Sequence, residues 1–97
     1  MIRIGNKRRG DVGEYVARPS PLGNPWILDD ERNRNRVCDL YATWLDKQVQ
    51  LKNEVVIREI DRLRRLHEER GDLTLVCFCV PKRCHAEAIK ALLEAPR

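Results

Sequence analysis

At 97 residues, with 42% hydrophobic and 35% charged side chains, the chain has room for one small domain with a modest core and is too apolar to be disordered. No apolar run approaches the roughly 20 residues that span a bilayer, so no membrane partner is expected. The net charge of +4, from 19 Lys and Arg against 15 Asp and Glu, is a mild excess without interleaved aromatics, which weakens a single-strand nucleic-acid platform.

The first residues, with Lys7, Arg8 and Arg9, lack the apolar stretch of a signal peptide. A cytoplasmic location is therefore expected, and the four cysteines are expected as reduced thiols. Residues 2–4 and 14–17 read as short strands around a turn holding Gly10 and Gly13. Residues 18–30 carry Pro19, Pro21, Pro25 and Gly23, which makes them a shaped loop. Val37, Leu40, Tyr41, Trp44 and Leu45 repeat at helical spacing, with Asp29, Asp30 and Glu31 at the favourable end and Asn33 or Asn35 as other caps.

A second helix is predicted over residues 54–69, with Val56, Ile60, Leu63 and His67 on one face and Gly71 as its stop. His67 is expected as an ordinary, partly buried helix residue. Residues 73–79 form the best strand, an apolar run without alternation that predicts a central parallel position. A third helix over residues 84–93 is expected to turn Ala88, Ala91 and Leu92 inward. The order β-β-loop-α-α-β-α predicts a single α/β domain over residues 1–97, Rossmann-like and small, with a short, mostly parallel sheet and about three helices. Ligands of such sheets bind beyond the carboxyl ends of strands. If the strands before the 18–26 loop and the 77–85 turn are parallel neighbours, these two segments share one crevice.

The 77–85 turn holds Cys77, Cys79, Cys84 and His85, ligand types that zinc and iron prefer. The spacing argues against a metal. Cys77 and Cys79 on a strand stand roughly 6–7 Å apart, and neighbouring Cys84 and His85 at a helix start diverge by about 100°. No metal ligand and no cofactor are therefore expected, although a Cys/His structural metal site stays open as an alternative. Cys77 and Cys38 are expected as small core side chains. Cys84, at a helix N-terminus beside Lys82 and Arg83, is the expected reactive thiolate, with His85 as general acid or base. Glu87 is expected to face solvent, which leaves His85 without a carboxylate partner.

In the loop, Arg18 suits a phosphate, Ser20 and Asn24 offer polar contacts, and Trp26 either stacks on a ligand or plugs the core. The segments Tyr15-Val16-Ala17-Arg18-Pro19, Pro21-Leu22-Gly23-Asn24-Pro25-Trp26 and Cys77-Phe78-Cys79-Val80-Pro81-Lys82-Arg83-Cys84-His85 resemble the family catalogued as domain of unknown function 4326. Ala17 stands where a glycine is usual and Phe78 where a tryptophan is usual. The resemblance implies a small α/β fold and a phage or prophage origin, and no particular activity.

Two functional expectations follow. The first is a pocket for a phosphate-bearing small molecule, most simply a nucleotide. Arg18, Ser20, Asn24, Trp26, Cys79 and Lys82 would bind it, and Cys84 and His85 would serve a hydrolase-like reaction. The second is a module that binds nucleic acid or a host protein without catalysis.

Overall fold

The computed structural model describes residues 1–95. Three strands, β1 (Ile2–Asn6), β2 (Glu14–Tyr15) and β3 (Leu73–Cys77), form one sheet in the order β1-β3-β2, and both pairings are parallel. Three helices complete the fold: α1 (Arg34–Gln50), α2 (Glu54–Arg70) and α3 (Ala86–Glu94). No helix among the described residues is long and apolar enough to cross a membrane.

β3 is central because its apolar residues satisfy a strand that is covered on both faces. Leu73, Leu75, Val76 and Cys77 are all buried. Its alternate residues Leu73, Leu75 and Cys77 join one core cluster with Tyr41 and Leu45 of α1, Val56, Ile60 and Leu63 of α2, and Ile89 and Leu93 of α3. The helices therefore cover the face of β3 that carries these residues. On the other face, the short connection from β1 to β2 runs back over the sheet. A Cβ on Gly13 would lie 2.4 Å from the Thr74 carbonyl oxygen, and one on Gly5 would lie 2.9 Å from the Cβ of Asp11. Glycine at these two points is what lets seven residues make the crossing without leaving the sheet.

α2 closely follows its sequence pattern. The Asn53 side chain accepts from Val55 N at its start, and Gly71 ends it at φ 76°. α1 begins at Arg34 after a single 3-10 turn, Glu31–Asn33, where the Asp30 side chain accepts from Arg32 N. Asp30 is thus the side-chain cap here, and Asn33 makes no capping bond.

α3 departs from expectation in its inward face. Ala86, Ile89 and Leu93 are buried, Ala91 is exposed, and Ala88 and Leu92 are only half-buried. Ile89 and Leu93 each bring more apolar surface than an alanine, and burial follows area. β3 also ends earlier than its apolar run, at Cys77. The Asn6 side-chain amide at the end of β1 takes the carbonyls of Phe78 at 3.3 Å and Val80 at 2.8 Å, which draws the chain out of the strand direction.

Candidate functional site

β2 and β3 are parallel neighbours, so the segments that follow them leave the same edge of the sheet. The loop after β2 is built by its own polar groups. Ser20 N donates to Ala17 O and Gly23 N to Ser20 O, both at 2.8 Å, giving two successive turns. The Ser20 hydroxyl accepts from Leu22 N, and the Asn24 side-chain oxygen accepts from Trp26 N. Leu22 is fully buried, and the buried Tyr41 hydroxyl of α1 donates to its carbonyl at 2.7 Å. Gly23 allows the loop to fold back on itself, since a Cβ there would stand 2.8 Å from the backbone N and Cα of Arg18.

The second segment is tied down from two sides. Asn6 holds Phe78 and Val80 as described. On the other side, Arg34 pairs with Glu31 at 2.6 Å and donates to the Arg83 carbonyl, while Arg83 pairs with Asp39 at 2.8 Å. Glu87 does not simply face solvent: its carboxylate accepts from Cys84 N at 2.9 Å while Glu87 N donates to Cys84 O. The carboxylate bond is one half of a capping box, closed here by a backbone turn bond and not by a capping side chain, and it sets Cys84 at the entrance of α3.

Between these anchors the thiols of Cys77, Cys79 and Cys84 converge, with all three sulfurs within 4.8 Å of one another. Cys84 Sγ lies 2.7 Å from Cys77 Sγ. The spacing argument against convergence therefore fails for the three cysteines, because the turn at 78–83 brings Cys84 back beneath the end of β3. His85 does not join them. Its Nε2 lies 2.9 Å from the Val16 carbonyl, which can only accept, so the proton is on Nε2 and Nδ1 faces Cys84 Sγ at 3.4 Å. Burial lowers the His85 pKa, so the ring is neutral at neutral pH, and the Tyr41 ring meets it edge-on at 4.9 Å.

The surroundings act on the three thiols in different directions. Hydrogen bonds from the Cys77 and Cys84 thiols and the Arg34 guanidinium beside it hold Cys79 far below the usual thiol range. Cys84 is pushed up by the same contacts with Cys77 and Cys79 and by burial. The helix N-terminus that favours a thiolate at Cys84 is thus opposed by burial and by the neighbouring thiols, and the thiol held low is that of Cys79.

A pocket of about 330 Å³ opens where the two segments meet. Arg18, Asn24 and Trp26 line it from the loop, Cys79, Cys84 and His85 from the turn. Six of the eight residues predicted from the sequence are thereby brought together. Ser20 is not in the wall, and Lys82 turns outward to pair with Glu31 at 3.3 Å. Trp26 is 36% exposed, so it forms the wall of the pocket and not a plug in the core, a place taken by Leu22 and Tyr41. The wall also holds Arg8, Arg34, Arg83 and Phe78. The sequence had marked Arg8 only as part of the basic N-terminal stretch and Arg83 only as a cation beside Cys84. Asn6 escaped notice altogether, because its partners lie more than 70 residues away in the chain.

A family described as domain of unknown function (DUF4326) matches residues 2–95. The chain belongs to this family. No curated protein and no solved structure matched. As a DUF4326 member the chain inherits no stated activity, and its chemistry has to be argued from the pocket and the thiols.

The ion pairs that hold the turn to α1 predict an acid sensitivity. The Arg34 hydrogen bond, aided by Lys82, holds the Glu31 carboxyl down to about 2, from an ordinary value of 4.5. A depressed carboxyl stabilises the folded state above its ordinary value, and that contribution is lost as pH falls from there toward the depressed value. Glu31→Gln should therefore narrow its stability gap to the wild type as pH is lowered through this window, read from urea midpoints. A gap that stays constant with pH would remove this pair from the acid response.

Proposed function

We propose that the pocket between the 18–26 loop and the 77–85 turn binds a small phosphate-bearing molecule, with a mononucleotide as the best-fitting class. The observation that carries this reading is the state of two cations. Arg8 and Arg18 both line the pocket, and neither makes an ion pair with a described residue, whereas Arg34 and Arg83 are committed to Glu31 and Asp39. A guanidinium presents a planar fork that matches phosphate oxygens. The Trp26 and Phe78 rings stand in the same wall, the latter with the Arg8 guanidinium 5.5 Å from its centre, and aromatic faces suit a base. The Asn24 side-chain oxygen is taken by Trp26 N, which leaves its NH₂ to donate. At about 330 Å³ the space is at the small end of ligand pockets.

The reading does not extend to hydrolysis. Cys84 is 2% exposed with its thiol pushed up, and His85 has its Nε2 proton held by Val16 O and its Nδ1 turned to Cys84 Sγ, so the pair offers no exposed nucleophile. A nucleic-acid or protein surface is less favoured, because Arg58 and Arg62 on α2 pair with Glu54, Glu59 and Glu14.

The test is thermal unfolding in chelator-containing buffer with inorganic phosphate, pyrophosphate, and nucleoside mono- and diphosphates. A ligand at about 100 times its Kd adds about 2.7 kcal/mol, which raises Tm by about 10 °C or more in a domain of this size. Arg8→Ala and Arg18→Ala should each abolish most of that rise, and Lys82→Ala should leave it intact. If none of these compounds moves the wild-type Tm, the reading is wrong.

A further inference from the structure

We propose that Cys77, Cys79 and Cys84 form a binding site for a single borderline-soft divalent cation, zinc by preference, with its remaining coordination position facing the pocket. The proposal is independent of the phosphate reading, because it stands on the thiols alone.

Three sulfurs from two separate stretches of chain meet within 4.8 Å, and none is in a disulfide. Packing does not call for sulfur at three touching positions. A valine or leucine would fill such a space with more apolar area. A tetrahedral zinc with bonds of about 2.3 Å sets its sulfurs about 3.8 Å apart. The cluster, within 4.8 Å throughout, is on that scale, and the Cys77–Cys84 pair, at 2.7 Å, must open by roughly 1 Å.

The backbone explains why the sulfurs converge. Cys77 is the last residue of β3 and points to the helix side of the sheet, and Cys79 follows two residues later. The Asn6 bonds to Phe78 and Val80 then turn the chain, Lys82 N closes on Cys79 O at 2.9 Å, and Cys84 returns to the entrance of α3.

The surroundings match those of a metal–thiolate centre. Ala86 N points at Cys84 Sγ from 3.5 Å, the kind of outer contact that orients a ligating sulfur. Three thiolates on a divalent ion leave one net negative charge, and the Arg34 guanidinium, which Glu31 also pairs, lies beside Cys79 to offset part of it. Cys79 is half-buried while Cys77 and Cys84 are buried, and all three line the pocket, so an ion has a route in and a ligand has a route to it. Among the described residues no fourth ligand belongs to the cluster: Val16 O holds His85 Nε2–H, and His85 Nδ1 faces Cys84 Sγ at 3.4 Å without joining the three sulfurs. Structural zinc sites are normally closed by four protein ligands, and a three-ligand site with an open position is the arrangement that leaves room for an exchangeable ligand.

The experiment begins with elemental analysis of protein purified under reducing conditions without chelator, followed by cobalt(II) titration of the metal-free protein. About one zinc per chain is expected, together with sulfur-to-cobalt charge-transfer absorption and the visible bands of tetrahedral cobalt. Cys79→Ser, the least buried of the three and the variant best placed to fold, should weaken cobalt binding by more than the ~10–100-fold typical of outer contacts. Cys38→Ser should bind as the wild type does. Reduced, metal-free wild type that gives no thiolate–cobalt absorption overturns the proposal. So does a folded Cys79→Ser with unchanged affinity, or iron with acid-labile sulfide in place of zinc. Because the titration is run without phosphate, its result is separate from the ligand test.

Discussion

Leu22→Ala should lower the stability of the domain by about 2–5 kcal/mol, the range for emptying a fully buried leucine site. Leu22 is 0% exposed and belongs to the core cluster that contains Tyr41 and Leu75. It is the apolar anchor of the loop after β2, and the Tyr41 hydroxyl fixes its carbonyl. Small domains have about 5–15 kcal/mol in total, so the loss is a large share of the whole. A urea transition should show a lower midpoint with an unchanged slope, and Tm should fall by roughly 10 °C or more. Arg18 and Asn24 flank this anchor, so ligand affinity should fall with stability. A change below about 1 kcal/mol would mean that the loop is held by something other than its leucine.

Asn6→Ala is expected to act on the site more directly. Asn6 is 8% exposed, its NH₂ serves the carbonyls of Phe78 and Val80, and its oxygen accepts from Arg8 N at 2.8 Å. Truncation strips partners from three backbone groups in a partly buried setting, at about 1–3 kcal/mol for each group that water cannot reach. We expect a total of about 2–4 kcal/mol, because the part-buried groups recover some hydration. The larger consequence is geometric. Without these bonds the 78–81 stretch is free to continue the strand direction, and the three sulfurs separate. Thiol modification by a disulfide reagent should then be faster in Asn6→Ala under native conditions, and cobalt affinity should fall. Unchanged thiol reactivity in the folded variant would show that the turn keeps its shape without Asn6.

Local pattern carried a good part of this fold. In α2, Val56, Ile60 and Leu63 recur at helical spacing between Asn53 and Gly71, and both ends fall where cap chemistry places them. β3 was legible as a central strand because a short apolar run has to be covered on both faces. The two motif-bearing segments were legible as the walls of one pocket for a similar reason: parallel neighbours present the segments after them at the same edge.

The inward face of α3 was less legible, because alanines at helical spacing imitate an apolar stripe, and the sheet selects the larger Ile89 and Leu93. Trp26 was ambiguous for a related reason. An aromatic in a proline-rich loop suits either core or wall, and Leu22 took the core. Arg83 read only as a cation beside Cys84 until its partner Asp39 came into view.

By itself, the sequence determined the parallel α/β architecture and which two segments meet at one edge of the sheet, because periodicity and caps act within a few residues. Only the tertiary structure decided where the side chains point beyond the end of β3. That direction depends on Asn6, more than 70 residues away in the chain. Spacing within the 77–85 turn describes an extended strand followed by a helix, and on that path the cysteines diverge. The distant carboxamide bends the path and brings Cys77, Cys79 and Cys84 together.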